Sequence, residues 1–446
     1  MKYNEFIFEN YHYDRSCSTL SLRYRFGGGP KFEEQLIFDF AQRQLPPATL
    51  EVLDRILRLI FLMSGVSYYK AFVPKWLICE AFPLDQATAH FIQCFYEKGL
   101  AEFGFINQIS LRGHFEIRST SVPAAAAMGI ELPRRTCVPM GGGKDSIVSL
   151  ECLKRADEPL TVFALGDAEP ISACIGAADL PFIRVHRRLD RRLISFNNAG
   201  ALNGHVPITG ILSAIALAAA VMHGADMVVM SNEHSASAPN LRIDGVEINH
   251  QFSKSFEFEK EFSDFVQSYI SPSIGYFSLL RPLSEIDIAR RFSRYPEYFG
   301  IFRSCNTAFR QTPAARRRHW CCDCPKCRFV FLALSPFVPK PDLVEIFGYD
   351  LLDDESQCDG FAELCGLRDY KPFECVGETS ESATVMSYLA TRPDWREDWV
   401  VHQLNEDFPS LRQSGSAQYR ALFEVKHRHR VPPSYMAILD ACGSSR

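Results

Sequence analysis

The chain has 446 residues, 47% of them hydrophobic and 23% charged, with a formal net charge of −5 and a pI near 6.2. That length suits two or three domains with ample core, and the composition excludes a disordered chain, while the acidic balance argues against a broad nucleic-acid footprint. The longest apolar run, 211–222, is Ala-rich and falls short of the roughly 18 residues a membrane span needs. Met1-Lys2-Tyr3-Asn4-Glu5 lacks a signal-peptide pattern, so a cytoplasmic protein that engages neither membrane nor nucleic acid is expected. Fifteen cysteines in such a chain are expected to be buried, metal-bound or reactive rather than disulfide-paired.

In chain order, Phe6, Phe8, Leu20, Leu22, Tyr24 and Phe26 alternate with polar residues, and Gly27-Gly28-Gly29-Pro30 reads as a turn. A small antiparallel sheet is predicted there. Leu53, Ile56, Leu57 and Ile60 have helical spacing, and Trp76 to Gly99 reads as a further helical section. Residues 1–130 are therefore expected to form an accessory α/β domain. From Thr136 the pattern changes to short apolar strands alternating with helices: 136–139, Leu160–Gly166, Phe182–Val185, an Ala-rich helix from Ile211, then Met227–Met230. This is the signature of an α/β fold with a parallel sheet covered on both faces, whose ligands gather at the carboxyl ends of the strands.

The first of those strands runs into Met140-Gly141-Gly142-Gly143-Lys144-Asp145-Ser146 and then an apolar-periodic helix. Glycines let backbone amides close on an anion, and the helix that follows adds its positive end. The Lys is followed by Asp145 and no Gly lies five residues before it, so this is not a Walker loop. It resembles the PP-loop Ser-Gly-Gly-x-Asp-Ser of AMP-forming ATP pyrophosphatases, with Met140 in place of the first serine; an ordinary Gly-rich turn is the alternative. Three more segments fall at strand ends. They are Asp167, the cluster Arg187, Arg188, Arg191 and Arg192, and Ser231-Asn232-Glu233-His234-Ser235, in which Glu233 and His234 suit a metal ligand or a proton carrier. The arginines are either a wetted basic face or a seat for phosphates. In Asn203-Gly204-His205-Val206-Pro207-Ile208-Thr209, His205 or Thr209 is placed to cap the Ala-rich helix, or to act in the crevice.

Cys321, Cys324 and Cys327 are spaced C-x2-C-x2-C, and Cys305 can supply a fourth thiolate for tetrahedral zinc; a set of reduced buried thiols is the alternative. Beyond Pro336 the chain reads as mostly helical. Glu374, Cys375 and Glu378 in Lys371-Pro372-Phe373-Glu374-Cys375-Val376-Gly377-Glu378 have acid–base chemistry, but a polar turn with two surface carboxylates is the commoner case. The expected organisation is thus 1–130 accessory α/β, 131–300 a parallel-sheet, HUP-like PP-loop nucleotide domain, and 301–446 a Cys-cluster and helical region.

Taken together, the PP-loop with its internal Lys, Asn-Gly-His-Val-Pro, Ser-Asn-Glu-His-Ser, Trp-Cys-Cys-Asp-Cys-Pro-Lys-Cys and Pro-Phe-Glu-Cys-Val-Gly resemble the UDP-N-acetyl-α-D-muramoyl-L-alanyl-L-glutamate epimerase family, often called MurL. The resemblance runs over most of the chain. It implies an isomerase of peptidoglycan precursor biosynthesis, hence of cell-wall biogenesis, cell shape and division. The implied reaction is ATP- and Mg2+-dependent inversion of the terminal L-Glu of UDP-N-acetylmuramoyl-L-Ala-L-Glu to D-Glu through an acyl-adenylate, with release of AMP and pyrophosphate. On that reading Gly141, Gly142, Gly143, Lys144, Asp145 and Ser146 hold ATP, and Asp145 binds Mg2+. Lys144, Glu233 and His234 are the catalytic candidates, and Arg187, Arg188, Arg191 and Arg192 would bind the UDP phosphates. Cys305, Cys321, Cys324 and Cys327 would hold structural zinc. Two other classes stay open: a different AMP-forming PP-loop enzyme (amide ligase, nucleotide thiolase or deazaguanine synthase), and a zinc module that binds nucleic acid through Arg316 to His319.

Overall fold

Alternation in the first stretch does build antiparallel strands. In the computed structural model, which describes residues 2–39, 44–120, 122–243, 245–310, 316–368, 371–413 and 416–444, β1 (Glu5–Asp14), β2 (Thr19–Phe26) and β3 (Lys31–Phe38) form a meander. The Gly27-Gly28-Gly29 stretch turns between β2 and β3, with Gly28 at φ +64°. One face of the meander buries Phe6, Phe8, Tyr24, Phe26 and Phe32, and Phe8 and Tyr24 pack on Phe61 of the helix Pro47–Ser64, whose Val52, Ile56 and Ile60 are fully buried. The helical expectation for Trp76 to Gly99 holds only from Gln86, where Asp85 caps by accepting from the Thr88 amide at 2.9 Å. Trp76–Cys79 is instead a strand, β4, parallel to β1 on one side and to β5 (Glu116–Arg118) on the other. Its short apolar run pairs with an open sheet edge, which periodicity alone does not reveal.

The strand–helix alternation from residue 136 gives β6 (Thr136–Pro139), β7 (Leu160–Leu165), β8 (Phe182–Arg188) and β9 (Met227–Met230). A small hairpin, β10 (Leu241–Ile243) with β11 (Val246–Ile248), precedes β12 (Gly275–Ser278). Four parallel pairings run β12-β9-β6-β7-β8. β8 then pairs antiparallel with β3, so the strands of residues 1–130 and those of the following region belong to one ten-stranded sheet, β12-β9-β6-β7-β8-β3-β2-β1-β4-β5. Alternate residues of its parallel half face two separate cores. Cys137, Phe163, Val228 and Tyr276 join the core shared with the N-terminal helices and the Ala-rich helix Ile208–His223, whereas Val138, Val162, Val229 and Phe277 join the core under the helical C-terminal region. Strands buried on both faces read as continuous apolar runs for this reason. The expectation of unpaired cysteines fails at one pair: Cys152 of the helix Lys144–Arg155 is bonded to Cys442 of the helix Pro433–Ser444, with Cα atoms 5.4 Å apart. No described helix is long and apolar enough to cross a membrane.

The β3–β8 seam carries a buried charge pair. Glu34 sits on the apolar face of β3, wholly buried, and accepts from Arg187 Nε at 2.6 Å and Nη2 at 3.2 Å, while the same guanidinium donates to Ser67. Replacing Glu34 by Ala would leave that guanidinium buried without a counter-charge, which costs about 3–5 kcal/mol. Replacing Arg23, half of the exposed Arg23–Glu33 pair, is expected to cost less than about 1 kcal/mol. Urea unfolding of the two variants measures both values.

Candidate active site

β6 ends at Pro139, and the loop that follows is shaped by one position. At Gly142, φ is +77° and a Cβ would lie 2.9 Å from the Pro170 carbonyl carbon and 3.0 Å from the Ile171 nitrogen, so the loop passes against the helix Glu169–Ala178 as only glycine allows. Gly141 is exposed with open space around it, and Gly143 is extended at the start of the helix Lys144–Arg155. No side chain caps that helix, which leaves its first amides directed at the loop, an arrangement suited to an anion. Ser146 Oγ donates to the Gly143 carbonyl at 3.0 Å and braces the turn from inside. From outside, the Arg303 amide donates to the Gly142 carbonyl at 2.8 Å.

Beside this helix start, carboxylate oxygens of Asp145, Glu233 and Glu285 converge within 4.8 Å of one another. Glu233 comes from the end of β9, and Glu285 opens the helix Glu285–Phe292, capped by Ser284. Lys144 stands among them: its Nζ donates to Asp145 Oδ1 at 2.5 Å and to Glu285. Burial opposes its charge, but Asp145 and Glu285 outweigh that and raise it above an ordinary lysine. Glu285 is pushed well up by burial and by the like charges of Asp145 and Glu233, against the pull of Lys144. Such a set of hard oxygens, under-compensated by cations, suits a divalent ion such as Mg2+. Behind it, the wholly buried Arg281 pairs with Glu259 at 2.8 Å and donates to the carbonyls of Glu233 and Lys254. Glu381 ties two helix starts together by accepting from the amides of Glu285 and Glu378, and burial lifts its carboxyl to about 7.

Lys254 bridges to a second cluster. Burial opposes its charge, yet Cys375, Glu233 and Asp145 raise it. Cys375 is electrostatically coupled to Lys254 and to His250, and His250 Nδ1 hydrogen bonds to Glu102. His205 lies against this relay, its ring centroid 4.3 Å from that of His250, and burial followed by the charge of His250 lowers it to about 3. The turn carrying Cys375 is therefore not the surface turn expected of it: Cys375 is half-buried, Glu374 meets Asn306 and Lys326, and Glu378 caps the helix Thr379–Leu389. Nor do His205 or Thr209 cap the Ala-rich helix, which starts after Pro207 with no side-chain cap. A cleft of about 890 Å³ is walled by Phe105, Asn249, Phe252 and Ser255, with Arg112 and Arg428 at its lining.

The remaining sequence candidates divide. Gly141 through Ser146 and Glu233 come together as described, whereas His234 lies in the next turn, half-buried, outside the carboxylate set. Of the arginines, Arg187 is committed to Glu34 and Arg192 to Asp190, while Arg188 and Arg191 are exposed. Cys305, Cys321, Cys324 and Cys327 do converge, with sulfurs 4.0 Å (Cys305–Cys324), 3.6 Å (Cys321–Cys327) and 3.5 Å (Cys324–Cys327) apart. A zinc–sulfur bond of about 2.3 Å in a tetrahedron requires sulfurs about 3.8 Å apart, so the four fit that ion. Cys322 stays out of the set and donates to the Phe347 carbonyl at 3.4 Å.

Known proteins resemble this chain over most of its length. Residues 1–279 match the MurL N-terminal domain and residues 301–419 the MurL C-terminal domain. The chain belongs to the MurL family. It is 40% identical over 421 residues to the UDP-N-acetyl-alpha-D-muramoyl-L-alanyl-L-glutamate epimerase of Xanthomonas oryzae pv. oryzae, covering 94% of this chain and 93% of that one. Proteins of the same name from a Micromonospora species (42% over 439 residues, 97% of each chain) and Salinispora tropica (41% over 444 residues, 98% and 95%) are similarly close. This MurL-family protein is accordingly an isomerase, an epimerase.

Several of the residues that build this candidate site of the MurL-family chain carry no signal in the sequence. Glu285 after Ser284 looks like an ordinary capped helix start, and Glu102, His250 and Lys254 stand alone in helical or loop stretches with no motif around them. Arg281 lies shortly after an apolar strand and is the largest fully buried side chain among the described residues. Its role gives a test. Glu259→Ala, which strands Arg281, is expected to cost about 3–5 kcal/mol of stability in urea unfolding. The double variant Arg281→Met/Glu259→Leu should regain most of that, yet turn over substrate slowly, because the Glu233 and Lys254 carbonyls lose their shared donor. Parental turnover by the double variant would show that Arg281 has no positioning role.

Proposed function

We propose that this protein inverts the terminal L-Glu of UDP-N-acetylmuramoyl-L-Ala-L-Glu to D-Glu, consuming ATP with Mg2+ through an acyl-adenylate and releasing AMP and pyrophosphate. The relatives' shared name supports the substrate and the inversion. The observation that carries the activation step is the uncapped helix start at Gly143, set beside three convergent carboxylates and Lys144. Gly141, Gly142, Gly143 and Ser146 would cradle the pyrophosphate end of ATP with backbone amides, and Lys144 would meet phosphate charge. Asp145, Glu233 and Glu285 would hold Mg2+, which when bound neutralises phosphate charge. The chemistry explains why activation is needed. Removing a proton from Cα beside a free carboxylate builds a second negative charge next to the first, whereas in an acyl phosphate ester the charge spreads onto a carbonyl oxygen that buried cations and amides can stabilise. The cleft lined by Arg112 and Arg428 offers room for the nucleotide-sugar body of the substrate.

Incubation with substrate, ATP and Mg2+ in D2O is expected to give the D-Glu product with deuterium at Cα, together with AMP and pyrophosphate and without any added amine. Omitting ATP should abolish the exchange, since a positioned base alone contributes only about 10²–10⁴-fold. Asp145→Asn should fold but release no pyrophosphate. Exchange that ignores ATP would remove the adenylate, and AMP release without deuterium would move the protein to an AMP-forming ligase class.

Zinc in the four-cysteine site would have a structural task on this reading. The segment Arg303 to Asn306 that it anchors touches the Gly142 loop at one end and Glu374 at the other, through Asn306 and Lys326. Protein never exposed to chelator is expected to contain about one zinc per chain by elemental analysis. Cys324→Ser should lose the metal and melt at a lower temperature, while Cys322→Ser keeps it. Metal-free parent protein would instead favour reduced thiols.

A further inference from the structure

Cys375 has the surroundings of a reactive group, and the turn that carries it is tied down on both sides. Asn240 donates to the Pro372 carbonyl at 2.7 Å, the Phe373 ring packs on Phe105 with centroids 5.6 Å apart, and Asn306 donates to Glu374. On the other side Val376 is buried, its carbonyl 3.5 Å from Gln251 Nε2. Asn240 also accepts from the His250 amide at 2.9 Å, so the turn carrying the thiol is held against His250, which is in turn oriented by Glu102; His250 and Lys254 are the groups coupled to the sulfur. A sulfur, an imidazole and a carboxylate in series are the arrangement by which proteins activate and orient a thiol. Lys254 also couples electrostatically to Glu233 and Asp145, and Arg281, which donates to the carbonyls of both Lys254 and Glu233, ties that segment to the carboxylate set.

We propose that Cys375 is a catalytic residue of the epimerisation: as a thiolate it takes the Cα proton of the activated glutamyl residue, with His250 and Glu102 positioning it. This rests on the activation reading above. The Cα–H bond breaks, its proton forms an S–H bond on Cys375, and the electron pair moves onto the acyl carbonyl as an enolate. A solvent-exchangeable donor then returns a proton to the opposite face of Cα, restoring the C–H bond with inverted configuration, and the thiol gives its proton back to solvent. No oxidant or reductant is needed.

The electrostatics agree with the geometry. Burial opposes a thiolate at Cys375, but the charge of Lys254 and the hydrogen bond to His250 outweigh it and bring the thiol down to about 6. Burial without such partners does the opposite at Cys137, which is pushed up to about 12. His250 is held at about 9, where burial is outweighed by its bonds to Cys375 and Glu102, so it stays a cation beside the sulfur at neutral pH.

The test uses the full chain with UDP-N-acetylmuramoyl-L-Ala-L-Glu, ATP and Mg2+, and reads two half-reactions separately. Exchange of labelled pyrophosphate into ATP reports activation, and deuterium uptake at Cα from D2O reports proton transfer. Cys375→Ala and the one-atom change Cys375→Ser are expected to keep pyrophosphate exchange within about two-fold while losing about 100-fold or more of the Cα exchange. The parent minus Cys375→Ser difference in ultraviolet thiolate absorbance should titrate with a midpoint near pH 6. Near-parental Cα exchange in either variant overturns the proposal. So does loss of both half-reactions in a variant that melts like the parent, since the thiol would then act before the proton step. Absence of pyrophosphate exchange from the parent overturns the activation reading instead, and Cα exchange that still vanishes with Cys375 would keep the thiol in the proton step.

Discussion

Three carboxylates within 4.8 Å of one another are a repulsive arrangement, and the centre of this protein is organised around holding Asp145, Glu233 and Glu285 there. One buried lysine, Lys144, compensates part of the charge directly. The rest is held by scaffolding. Arg281 pins the Glu233 and Lys254 backbones from behind while neutralised by Glu259, and Glu381 fixes the amide of Glu285. Buried polar networks are stable only when each member is satisfied, and here each carboxylate is approached from a different element: a loop–helix start, a strand end and a capped helix. Binding a positive ion would relieve the remaining repulsion, which is the physical reason such sets recur where metal-assisted phosphate chemistry is done.

What the sequence makes legible is local. The strand–loop–helix at 136–155, the parallel strands through β9, the helical end of the chain and the four sulfurs are each encoded by spacing within short windows. Glu233 is legible because a run of polar residues directly after an apolar strand of a parallel sheet falls where ligands gather. What escapes is assembled from distance. Glu102, Glu285 and the stretch carrying His250 and Lys254 come from separate elements, and each alone looks like an ordinary surface or cap residue. Arg187 misleads in the other direction: it sits in a basic cluster at a strand end, but β8 pairs with β3, where Arg187 stands opposite Leu36 and reaches Glu34, a partner 153 positions away that no local pattern announces. Trp76–Cys79 merges with the helix that follows because a four-residue apolar run is too short for its period to distinguish the two states.

The two sequence-matched regions, 1–279 and 301–419, are not two independent halves of the site. The first supplies the loop, the Lys144–Asp145 pair, Glu233 and the Glu102–His250 relay; the second supplies the cysteine anchor and Cys375. Glu285 and Ser284 fall between them, in a stretch whose apolar residues Leu283, Ile286 and Ile288 belong to the core under the C-terminal region.

The strand order has a consequence for how the molecule comes into being. During synthesis β1, β2 and β3 can pair as soon as they emerge, but β3 has no partner on its other edge until β8, and β6 has none on one side until β9. Pairings of such sequence separation are slow to form and leave strand edges open meanwhile. The chemistry is later still, because Glu285 and then Cys375 must be translated before the carboxylates and the thiol meet. A growing chain thus carries a phosphate-suited loop with nothing beside it to use a bound nucleotide, and competence arrives only when the late segments dock.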